Sequence, residues 1–186
     1  MRVQELAPGL WRWTARHPEW TPSSEGWSPD VGCYYVEAPS AVVLIDPLVP
    51  ADEETRFFTA LDSDIERAHK PVHVLVTTSA HSRSADDLRS RYSTSADVPA
   101  GVEAIETPDE RLFWLPNPRA LVVGDVFQTE EGPLRLWPEP TRDLMRSLEP
   151  LRTLPVEMVL VTHGEPVLTN ARAALAAALH SAPSAA

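Results

Sequence analysis

The chain has 186 residues, with 16 basic and 27 acidic side chains and a formal net charge of −11. That length suits one domain spanning 1–186, and 43% hydrophobic residues can build a core, which excludes a disordered class. The negative balance repels phosphate backbones and argues against nucleic-acid binding, and the single Cys33 excludes a disulfide framework.

No apolar run approaches the roughly 18 residues that span a bilayer, and Met1-Arg2-Val3-Gln4-Glu5-Leu6 lacks the apolar stretch of a secretory signal. A cytoplasmic, soluble domain is expected, without membrane or nucleic acid as partner. A small-molecule ligand is the partner expected, and self-association stays open.

In chain order, Leu6-Ala7-Pro8-Gly9 reads as a turn before a short strand-like alternation through Trp13. Residues 15–30, with Pro18, Pro22 and Pro29 beside Trp20 and Trp27, read as a loop. Its tryptophans either line a pocket or cover the core. Residues 31–37 and 41–46 suggest a hairpin. A helix is expected over 51–69, with Phe57, Phe58, Leu61 and Ile65 on one face and Pro71 as its stop. Val72–Thr78 reads as a buried strand, and Ser84–Tyr92 as a helix opened by a Ser84-x-x-Asp87 capping box.

Strands are expected at 102–107, 111–115, 120–127 and 134–137. A helix over 141–154, interrupted near Pro150, leads to a strand at 156–162 and a last helix from Asn170, with 181–186 as a frayed tail.

Several chemistries are missing. Neither G-x-G-x-x-G nor G-x-x-x-x-G-K-[ST] occurs, so the two glycine-rich phosphate loops are excluded. No G-x-S-x-G nucleophile elbow is present, and Cys33 lies in an apolar strand as a small hydrophobe.

Four segments carry a positive signal: Val42-Val43-Leu44-Ile45-Asp46-Pro47, Leu75 to His81, Gly124-Asp125, and Thr162-His163-Gly164-Glu165-Pro166. Their order resembles the metallo-β-lactamase superfamily over nearly the whole chain. The resemblance implies an α+β fold, a four-layer αββα sandwich of two mixed β-sheets, with a metal site at one sheet edge. It also implies a His-x-His-x-Asp-His loop, a later His, a bridging Asp and a final His around two metal ions that activate water.

Carried over residue by residue, His81 takes the second histidine, Asp125 the bridging aspartate and His163 the final histidine. Ser79, Arg83 and Ser84 stand where a histidine, the aspartate and another histidine are expected. No histidine occurs near 107–110, where Glu110 is the nearest carboxylate. The expected metal ligands are therefore His81, Asp125 and His163, with Glu110 a lesser candidate and Asp46 bracing the loops behind them. Arg83 is cationic at any relevant pH and repels a metal; it either turns inward to balance Asp125 or points to solvent. Trp20 and Trp27 are placed at the mouth of the cleft near His81 and His163.

These substitutions argue against a dinuclear site and leave at most one divalent ion, zinc, iron or manganese, or none. Two functions stay open: a diverged hydrolase of unknown substrate with an incomplete metal site, or a non-catalytic pseudoenzyme that binds a ligand or protein in the old active-site cleft.

Overall fold

In the computed structural model, strand β1 (Arg2–Ala7) pairs antiparallel with β2 (Leu10–Arg16), the strand that carries the alternation around Trp11 and Trp13. The structure describes residues 1–24, 28–130 and 132–181. Gly9 makes the turn between the two strands at φ +76°, a left-handed conformation that glycine adopts without Cβ strain. The sequence suggests only a turn before the second strand. The first was hidden because it is an edge, with Val3 and Glu5 left half open to solvent.

β3 (Asp30–Glu37), β4 (Val42–Ile45) and β5 (Val72–Leu75) complete a mixed sheet in the order β1-β2-β3-β4-β5. β4 and β5 run parallel, so a crossover must join them, and α1 (Glu54–Ala68) supplies it after a 3-10 turn at Ala51–Glu53. Phe57 and Leu61 are its buried face against Trp13, Cys33 and Leu44. The helix ends at His69, left-handed at φ 50°, whose amide donates to the Ile65 carbonyl. β5 is shorter than the expected 72–78 because the chain leaves the ladder after Leu75, and the Thr77 amide turns to a side chain.

α2 (Ala85–Tyr92) packs against β5, but its capping box does not form. Ser84 sits at φ −95°, ψ 8°, outside the extended region a capping serine needs. Its hydroxyl instead accepts the Val49 amide at 3.0 Å.

Residues up to Val102 form one compact unit and those from Glu103 a second. The second holds β6 (Glu103–Glu106), β7 (Arg111–Leu115), β8 (Ala120–Val122) and β11 (Met158–Leu160), also as a mixed sheet, ordered β11-β8-β7-β6. The expected strand over 120–127 breaks after Val122, where Gly124 turns at φ 53°. Phe127–Gln128 (β9) then pairs separately with Arg135–Leu136 (β10).

Within 141–154, α3 (Arg142–Ser147) gives way to a 3-10 turn at Glu149–Thr153, since Pro150 cannot continue an α-helix. α4 (Ala171–His180) lies against β10 and β11, burying Leu175 and Leu179. Leu112, Phe127, Leu148 and Val159 join them in this unit's core. The expected frayed tail beyond Ser181 lies outside the described residues. No described helix is long and apolar enough to cross a membrane.

Candidate metal centre

The first unit carries one half of the expected ligand set. After β4 the chain turns at Asp46, left-handed at φ 50° and fully buried. Asp46 Oδ1 accepts the Thr77 amide at 2.7 Å, and Oδ2 accepts the Thr77 hydroxyl at 2.7 Å. His81 closes the 3-10 turn Ser79–His81 with its amide bonded to the Thr78 carbonyl, and its ring is also buried. Its Nδ1 lies 3.1 Å from Asp46 Oδ2 and 2.9 Å from Thr77 Oγ1.

An aspartate carboxylate only accepts, and the Thr77 hydroxyl already spends its proton on it. The remaining proton is therefore assigned to His81 Nδ1, which makes Nε2 the lone-pair nitrogen. A carboxylate that fixes the ring tautomer in this way is what a metal-binding histidine uses.

Ser79 lies in the 3-10 turn, and the Ser84 hydroxyl accepts the Val49 amide. Arg83 is only half-buried. Its backbone is forced to φ 24°, and guanidinium Nε and Nη1 are buried with no hydrogen-bond partner among the described residues. Burial pushes the Cys33 thiol up to about 12, against the pull of Arg83 and Arg12, so Cys33 is no nucleophile.

The second unit carries the other half. Asp125 follows the Gly124 turn, and its amide donates to Glu110 Oε2 at 3.0 Å. Glu110 is itself fixed by the Thr107 amide and hydroxyl, which both donate to its carbonyl. One oxygen of this lesser candidate is thus engaged in holding the Asp125 backbone. Asp125 Oδ1 stands 3.2 Å from His163 Nε2. Two donors about 2.0–2.1 Å from one tetrahedral zinc stand about 3.3–3.4 Å apart, so this pair fits two corners of such a site.

Sequence reasoning missed Glu130. Its side chain is largely buried, with Oε1 3.9 Å from His163 Nδ1. Nothing in Gln128-Thr129-Glu130 marks it, since the approach depends on a turn far along the chain. The Thr129 amide donates to the His163 carbonyl at 3.2 Å, and its hydroxyl donates to the Glu165 carbonyl at 2.7 Å. Gly164, at φ +93°, lets these two segments touch: a Cβ there would stand 2.3 Å from Thr129 Oγ1.

Trp20 packs under the Arg16 guanidinium, 4.9 Å from its ring centre. With Arg16, His17, Asp30, Val49 and Pro50 it lines a cavity of about 650 Å³ in the first unit. His81 is not among the described residues around that cavity. Trp27, expected beside Trp20, lies outside the described residues.

No protein-family model and no curated protein matches the chain. Solved structures do. The metallo-β-lactamase from Hirschia baltica is 12% identical, with a TM-score of 0.63 over 96% of each chain. The metallo-β-lactamase from Erythrobacter litoralis is 16% identical, with a TM-score of 0.58 over 97% of this chain and 91% of that one. The DIM-1 metallo-β-lactamase is 13% identical, with a TM-score of 0.57 over 97% of each. Likeness at such identities concerns the backbone alone, and on that ground the chain has the metallo-β-lactamase fold.

Proposed function

We propose that this is a diverged metallo-β-lactamase-fold hydrolase with an incomplete metal site, in which His81, Asp125 and His163 together hold at most one divalent ion, zinc, iron or manganese. The observation that carries the reading is the Asp46–Thr77–His81 arrangement. A fully buried carboxylate is costly to keep, and here it holds both the Thr77 loop and the His81 imidazole. Three N/O ligands with a position left open is the composition of a hydrolytic zinc site. A bound ion supplies Lewis acidity and an acidified water for hydrolysis. The chain's own residues orient its ligands: Asp46 sets the His81 tautomer, and Glu110 holds the Asp125 backbone.

A second reading is a non-catalytic protein that uses the same site to bind a small ligand or a partner. It is favoured by Ser79, Arg83 and Ser84, which remove the donors for a second ion.

Metal analysis of protein purified without chelators separates the two. About one equivalent of metal, lost in both His81→Ala and His163→Ala, is expected. Protein that is metal-free and takes up no added zinc leaves only the second reading, and two tightly held equivalents contradict the incomplete site.

A further inference from the structure

Both candidate histidine ligands have a buried carboxylate on the Nδ1 side, and the two carboxylates come from unrelated parts of the chain. Asp46 serves His81, and its place is announced by the motif around it. Glu130 stands by His163 with no motif at all. Its Oε1 is 3.9 Å from Nδ1, and its side chain is only 8% exposed. On the opposite ring edge, Nε2 faces Asp125 Oδ1 at 3.2 Å.

The backbone is built to keep Glu130 there. Thr129 is tied to the His163 and Glu165 carbonyls, and the missing Cβ of Gly164 lets the Thr129–Glu130 peptide lie against the turn. A Cβ at 164 would come within 2.8 Å of the Glu130 amide nitrogen. The main chain that carries the carboxylate and the main chain that carries the imidazole therefore cannot move independently.

We propose that Glu130 is a positioning residue for His163: it holds the Nδ1 edge of the ring so that Nε2 is presented on the side of Asp125. The inference rests on the single-metal reading for its purpose, but not for its geometry. A shift of about 1 Å turns the 3.9 Å approach into a hydrogen bond of ordinary length. Carboxylates behind metal-bound histidines raise ligand basicity and fix ring orientation, and their loss costs about 10- to 100-fold in metal affinity.

The test compares wild type, Glu130→Gln and Glu130→Leu. Zinc affinity is measured by competition with a chromophoric chelator, and the His163 ring by ¹⁵N NMR of the metal-free protein, assigned with His163→Gln. Glu130→Leu is expected to bind zinc about 10- to 100-fold more weakly. Glu130→Gln, which keeps an acceptor oxygen, is expected to lose less. In the metal-free protein, Glu130→Leu should move the His163 Nδ1 resonance.

Wild-type zinc binding with unchanged affinity and unchanged Nδ1 resonance in Glu130→Leu overturns the role of Glu130 and leaves the metal reading standing. Failure of the wild type to bind zinc removes the metal reading, and the Nδ1 resonance alone then decides whether Glu130 holds the ring. Should Glu130→Leu not fold, the same two measurements on Glu130→Gln decide.

Discussion

Asp46 Oδ2 and His81 Nδ1 meet at 3.1 Å, with the two side chains 0% and 3% exposed. Thr77 completes the arrangement from both its amide and its hydroxyl. One carboxylate thus ties the end of β4 to the loop after β5 and sets the face that His81 presents. Structure and chemistry are coupled in this pair, which makes it the first place to perturb.

Asp46→Ala is expected to destabilise the protein by about 3 kcal/mol, because the Thr77 amide, the Thr77 hydroxyl and the His81 Nδ1–H all lose the buried carboxylate they donate to. Asp46→Asn should cost less. Asparagine tolerates the left-handed φ of 50° and keeps one acceptor oxygen. Urea denaturation of the metal-free proteins checks the order. Equal losses for both variants would mean that the backbone, not the hydrogen bonds, sets the cost.

Gly164→Ala is expected to cost about 3 kcal/mol, from a disfavoured φ of +93° and a Cβ 2.3 Å from Thr129 Oγ1. Thr129→Ala removes the atom in nearest contact but not the Glu130 amide or the strained φ. The double variant should therefore recover only part of the loss. Thermal unfolding of the two single variants and the double variant measures this, and full recovery would show that the hydroxyl clash alone matters.

Buried acids set the behaviour at high pH. Burial raises the Cys33 thiol from 9.0 to about 12 and Tyr35 from 10.0 to about 12, and it raises Tyr34 as well. Above pH 9 the unfolded chain releases the Cys33 proton while the folded chain keeps it. Stability from that group is thus intact below pH 9 and falls between pH 9 and about 12, by at most about 1.4 kcal/mol per pH unit. Cys33→Ala should show a shallower loss of stability between pH 9 and 11 in urea titrations. An unchanged slope would mean that Cys33 does not titrate on unfolding in that window.

How much could be read in advance follows from where each signal lives. The β4 strand with Asp46, the loop ending at His81, Gly124-Asp125 and His163-Gly164 are short contiguous motifs, so their residue types were visible together. The crossover helix announced itself through Phe57 and Leu61 at helical spacing and through Pro71 after its end. β1 was not legible because an edge strand need not alternate cleanly. The Ser84 capping box failed because a hydroxyl chooses among competing donors, and the Val49 amide lies 35 residues away. Glu130 was invisible for a similar reason: its partner is 33 residues along the chain, and only the close approach at Gly164 brings them together.

The strained Arg83 gives the sharpest test of whether the residues at 79, 83 and 84 limit the metal count. The resemblance to metallo-β-lactamases puts ligands at 79, 83 and 84, where this chain has Ser79, Arg83 and Ser84. If these substitutions alone closed a second site, Ser79→His with Arg83→Asp and Ser84→His should reopen it. The backbone favours the change at 83, since aspartate enters the left-handed region at φ 24° more readily than arginine, and it removes two buried guanidinium nitrogens that have no hydrogen-bond partner among the described residues. The change at 84 works the other way, because it takes the acceptor from the Val49 amide at a cost of about 1 kcal/mol. The triple variant should therefore fold with near-native stability and bind one more equivalent of zinc than wild type by elemental analysis. A folded triple variant with the wild-type metal count would show that the lost ligands are not what limits the site, and that the missing histidine near Glu110 is the deeper deficit.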